Sequence, residues 1–135
     1  MLSDWGFHHI GYVTDSIQRT RKIYTAAGYD TSPILQDQIQ RVSICFLTKE
    51  GFPKIELIEP ISEESSVNKI LKKNGVSPYH VCYEVDDIYA AFNELVDIQG
   101  YTPLFLPVEA IALGNRLICY LYRKETGFIE LVNKT

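Results

Sequence analysis

Four side chains carry donor atoms in places where solvated charge is out of keeping. Glu130 sits in FIELV and Glu56 in IELI, each flanked by large apolar residues. His9 lies in HIGYVTD and His80 in HVCYEVD, both strand-like stretches. A carboxylate buried alone is costly, and its usual relief is protonation or a partner. Two neutral imidazoles and two carboxylates balance one divalent cation, and N and O donors suit Zn, Ni, Co, Mn or Mg. Singly, each residue has a plainer reading, as a hydrogen-bonded core histidine or an edge-strand glutamate.

Repetition argues against reading them singly. HIGYVTD at 9–15 aligns with HVCYEVD at 80–86, keeping His, Tyr and Asp in register. Gly28-Tyr29 answers Gly100-Tyr101, and IEL at 55–57 answers IEL at 129–131. This internal repeat predicts a duplicated β-α-β-β-β unit. Side chains alternate along a strand, so His9 shares a face with Phe7, Gly11 and Val13, and His80 with Pro78, Cys82 and Glu84. Glu56 and Glu130 each point away from the Ile and Leu beside them. If those aliphatic pairs pack under helices, both glutamates face the side that carries both histidines.

The elements that must position these residues read as follows. After the strand FHHIGYVTD, a helix is expected from about Ser16 to Gly28, with Ile17, Ile23, Tyr24 and Ala27 at helical spacing. A loop TSPILQDQIQ precedes strands RVSICFLT and KIELIEP. A second helix is predicted over about 63–74, with acids in its first turn and lysines in its last. Then strand PYHVCYEVDD, helix IYAAFNELVDIQG, strand YTPLFLP, connection VEAIALGNR, and strands LICYLYR and FIELV complete the second copy. The expected organisation is one domain over 1–135, with modules at about 7–60 and 78–133 joined by the 63–74 helix.

Bulk composition agrees with a folded domain: 135 residues, 46% hydrophobic and 22% charged. A net charge of −4 gives no electrostatic case for nucleic acid or an acidic membrane. No apolar run is long enough to span a bilayer, and MLSDWGFHH lacks the pattern of a secretory leader. Cys45, Cys82 and Cys119 are odd in number and scattered among apolar residues. They read as core thiols of a reducing compartment, and a cytoplasmic location is expected.

HIGYVTD, AAGY, IELIEP, YHVCYEVDDI, GNR and TGFIELV resemble the glyoxalase/bleomycin-resistance family (vicinal oxygen chelates), and within it the methylmalonyl-CoA epimerases. The likeness runs from about Phe7 to Asn133. It implies an α+β fold of two paired βαβββ modules forming a curled mixed sheet around a central metal-binding cleft. It implies one divalent metal held by His9, Glu56, His80 and Glu130, the same four residues the strand faces select. The implied activity is a metal-dependent epimerase or isomerase moving a proton alpha to a carbonyl. Its substrate would carry vicinal oxygens, as an acyl-CoA thioester does. Glu130 is the implied proton carrier, with Glu56 beside it. Ser43, Arg116 and Tyr120 are candidate substrate contacts, Arg116 having the fork geometry for a carboxylate.

Two positions depart from the epimerase pattern. Ser43 stands where those enzymes place a second catalytic glutamate, and Glu56 where they tend to use glutamine. His, Glu, His, Glu is the ligand set of bacterial glyoxalase I, so lactoylglutathione lyase acting on a glutathione thioester is one alternative. A non-catalytic small-molecule binding protein of the same fold is another. An extradiol dioxygenase fits less well, because Glu56 would fill a position that such an iron site keeps open. A two-fold homodimer is the expected assembly.

Overall fold

The computed structural model describes residues 4–135. Residues 1–3, on which the leader argument partly rests, lie outside it. The chain divides into two compact units: His9–Tyr79, and His80–Thr135 with the residues just before His9.

The first unit contains β1 (Gly6–Val13) from His9 onward, α1 (Ile17–Ala26), β2 (Asp30–Thr31), β3 (Leu35–Asp37), β4 (Val42–Thr48), β5 (Ile55–Pro60) and α2 (Val67–Asn74). Its strands are ordered β2-β4-β5-β1, with β3 also on β4. β1 and β5 run parallel, whereas β4 and β5 are antiparallel. Ile17 of α1 packs on Cys45, Leu47, Ile55 and Leu57, so the aliphatic pair of IEL lies on the helix side as expected. Ser16 caps α1, its Oγ accepting from Arg19 N at 3.1 Å. Glu59 adds a second anchor, its Oε1 accepting from Ile17 N at 2.7 Å.

The second unit repeats this plan with β6 (Ser77–Val85) from His80 onward, α3 (Ile88–Asp97), β7 (Thr102–Pro103), β8 (Val108–Ala110), β9 (Arg116–Arg123) and β10 (Gly127–Asn133). The order is β6-β10-β9-β7, with β8 on β9. β6 and β10 are parallel and β9 and β10 antiparallel. α3 buries Ile88, Ala91, Phe92 and Leu95, one helical stripe, against Cys119, Leu121, Ile129 and Leu131. Its N-terminus is held by Asp87 and by Asn133 Oδ1, which accepts from Ile88 N at 2.9 Å.

The mixed α+β architecture agrees with the sequence, but the curled sheet does not. In each unit the hydrogen-bonded order ends on an edge of two residues, β2 or β7, and does not return to its start. So short an edge offers few backbone groups for closure, and Pro103 in β7 has no N–H to give. The sheet is open.

Local readings also shift. α2 begins at Val67, not near 63, so Glu63 and Glu64 precede the helix and no acid lies in its first turn. Glu64 instead pairs with Arg41. Ile23 and Ala27 do not face the core; Ile23 is 73% exposed, and Ile17 is the buried residue of α1. YTPLFLP contributes only Thr102–Pro103 as strand, while the expected loops before β4 and β9 each contain an extra short strand. No helix among the described residues is long and apolar enough to cross a membrane.

Candidate functional site

Each unit holds one buried His–Glu pair. In the first, parallel register sets Gly11 of β1 beside Glu56 of β5. Glycine leaves room on this face for the carboxylate and for His9, two residues upstream on the same side. His9 is fully buried and Glu56 nearly so. His9 Nε2 and Glu56 Oε1 are 3.2 Å apart. Phe46, cross-strand from Glu56, presents its ring edge-on to His9 with centroids 5.6 Å apart.

In the second unit Glu130 of β10 is flanked in register by Cys82 of β6 and Tyr120 of β9. His80 Nε2 lies 3.0 Å from Glu130 Oε1, and both side chains are buried. Tyr120 stands edge-on to the His80 ring at 5.1 Å. It thus takes the place that Phe46 takes in the first unit.

In each pair the donor spacing suits two ligands of one metal ion. Two ligand atoms each about 2.1 Å from one ion lie roughly 3.0–3.4 Å apart at octahedral to tetrahedral angles. The chemistry of the set fits as well, since imidazole nitrogens and carboxylate oxygens are donors for a divalent ion. Buried carboxylates also need opposite charge nearby to offset their desolvation.

The remaining sequence candidates fare differently. Ser43 is cross-strand from Glu59 and therefore shares the helix side with Cys45 and Leu57, opposite Glu56. Residues 44 and 46 hold the site-facing positions of β4, and they are Ile and Phe. Ser43 is thereby removed as a substrate contact, because a one-residue offset reverses the face. Arg116 lies on the site side of β9 but is occupied: Nη1 donates to Glu84 Oε2 at 2.8 Å and Nε to Leu113 O at 3.2 Å, while Nη2 lies 3.1 Å from His8 Nε2. Tyr120 faces the site. The rings of Phe46 and Phe105, the latter packed on Tyr120 at 5.8 Å, were not visible in the sequence. Register on β4 places Phe46 and the bend after β7 places Phe105, and no local motif records either.

None of the three cysteines is in a disulfide, and all three are buried. Burial, then the nearby Glu130 charge, pushes the Cys119 thiol up from 9.0 to about 12, against a smaller opposing effect of the Leu131 backbone. It is a core thiol and no nucleophile.

Residues 8–120 match the model of the Glyoxalase/Bleomycin resistance protein/Dioxygenase superfamily. The chain belongs to this superfamily. Its superfamily relatives include the mitochondrial methylmalonyl-CoA epimerase of Dictyostelium discoideum, 32% identical over 94% of this chain and 77% of that one. A solved protein of Bacillus halodurans C-125 superposes with a TM-score of 0.85 at 26% identity, covering 98% of this chain and 96% of the other. A variant of Streptomyces coelicolor methylmalonyl-CoA epimerase in complex with 2-nitronate-propionyl-CoA gives 0.82 at 25% identity, covering 96% and 97%.

Proposed function

We propose that this chain is a metal-dependent epimerase moving the proton alpha to the thioester carbonyl of an acyl-CoA. The single observation that carries the reading is the pair of buried His–Glu contacts, one per unit, on the strand faces turned away from the helices. Likeness to methylmalonyl-CoA epimerases supplies the substrate class.

His9, Glu56, His80 and Glu130 would together hold one divalent ion. When bound, it would supply positive charge to the thioester oxygen as the α-proton leaves. Glu130 is assigned as the general base for the α-proton, a role that requires it within hydrogen-bond reach of that carbon. Inverting the centre requires a proton returned from the other side, and Glu56 is the carboxylate assigned to it. That assignment answers the lack of a carboxylate at the site-facing positions of β4, where Ile44 and Phe46 stand. Phe46 and Tyr120 brace the two imidazoles by edge-on packing, limiting ring rotation. Burial of the four side chains keeps water from competing for the proton.

Glu56 supports a second reading, lactoylglutathione lyase, whose bacterial forms share this donor set. A two-fold homodimer in a reducing, cytoplasmic setting is proposed with either reading; light scattering of the purified protein checks the assembly.

The deciding experiment incubates metal-loaded protein with methylmalonyl-CoA in deuterated water and follows the α-proton by NMR. Catalysed exchange is expected. No exchange, together with turnover of the methylglyoxal–glutathione hemithioacetal, would replace the epimerase reading by the lyase.

A further inference from the structure

The site side of β9 continues into a segment that the proton chemistry leaves unused. PLFLP, residues 103–107, leaves β7 bracketed by two prolines. It is tethered along β9: Pro103 is in register with Leu121, and Leu104 N donates to Tyr120 O at 2.9 Å. The Phe105 ring stands edge-on to Tyr120 at 5.8 Å, and Tyr120 stands edge-on to His80 at 5.1 Å. Three rings therefore run outward in contact from a proposed metal ligand. Phe105 is half-buried at the outer end, between the exposed Leu104 and Leu106.

We propose that Phe105, seated on Tyr120, is the apolar wall that receives the α-substituent of the acyl substrate and sets its size. The inference rests on the epimerase reading. Glu130 must approach the α-carbon to move its proton, and Tyr120 is its direct cross-strand neighbour. Cross-strand partners have Cβ atoms about 4.5–5.5 Å apart. A group on the α-carbon that points toward β9 meets Tyr120 first and Phe105 next. Edges of two aromatic rings suit a short alkyl branch, and a ring face offers no partner to a charged one. The flanking prolines and the Leu104 hydrogen bond limit how far the segment can withdraw, so the wall selects by size.

The test measures kcat/KM of the full metal-loaded chain for methylmalonyl-CoA and ethylmalonyl-CoA, before and after Phe105→Ala. One methylene in an apolar pocket is worth about 10- to 200-fold in discrimination. The ethyl-to-methyl ratio is therefore expected to rise by about 10-fold or more, with a smaller rise in Phe105→Leu, whose similar volume preserves the packing on Tyr120. An unchanged ratio in both variants of an active enzyme overturns the wall alone. A wild-type protein that exchanges neither α-proton removes the epimerase reading and the wall with it.

Discussion

Glu130 and Glu56 are buried strand residues on the face opposite the helix-side core. Their neighbours Ile129, Leu131, Ile55 and Leu57 fasten the strands to the helix side, leaving the carboxylates facing buried imidazoles. Replacing Glu130 by Gln keeps size and an oxygen donor but removes the base. α-Proton exchange should fall by about 10²-fold or more, as for loss of a general base. Glu56→Gln should slow inversion more than exchange, read as the ratio of racemised to deuterated product. Equal loss in both readouts would deny it a separate face. The placement of both carboxylates beside imidazoles was legible because alternation fixes which way each residue points. Ser43 was misplaced because its face depends on the pairing with Glu59, and pairing is not written locally. The thiol of Cys119 makes a separate prediction. Its pKa is raised in the fold, so its neutral form stabilises the protein fully below about pH 9, and that contribution is lost as pH rises toward about 12. Native protein at pH 8 should resist iodoacetamide at Cys119, while denatured protein is alkylated there; mass spectrometry of the peptide reports both.

Within each βαβββ element the last strand is tied to that element's own helix, a device no motif announces. Three residues beyond each inward glutamate stands a side chain that accepts from the first helical N–H: Glu59 for α1 and Asn133 for α3. The strand end thereby satisfies a backbone donor that a helix N-terminus leaves open, and the Glu59 charge sits at the positive end of α1. The signal was present, in IELIE against IELVN, but Glu and Asn do not look alike until the contact is seen. Glu59→Ala and Asn133→Ala should each cost about 1–2 kcal/mol, the size of a lost cap, measured by urea denaturation. Their kcat should stay near wild type, since neither side chain faces the donors. α3 was readable from its single buried stripe. α1 was less so, because Ile23 continues the spacing yet points to solvent. The α2 boundary moved because Glu63 and Glu64 look like a helix start, whereas Glu64 is drawn aside by Arg41.

At the scale of the molecule, duplication is what the sequence displayed best and closure what it displayed worst. His, Tyr, Asp, Gly-Tyr and IEL recur by type, so two copies of one plan could be counted without a structure. Whether a sheet curls depends on edge pairing, and the edges here are two-residue strands with no sequence signature of their own. Each unit supplies one imidazole and one carboxylate, whereas protein metal sites of this kind take three or four side chains. Metal bound by the proposed four side chains should therefore stabilise the protein. At free metal about 100 times Kd the gain is about 2.7 kcal/mol, seen as a higher melting temperature that EDTA reverses. The most direct measurement is calorimetric titration of the metal-stripped chain with Co(II), for wild type, His9→Ala and His80→Ala. One ion per chain is expected, with affinity falling steeply in both variants. Two ions per chain, or full affinity after loss of either histidine, would contradict a single shared centre.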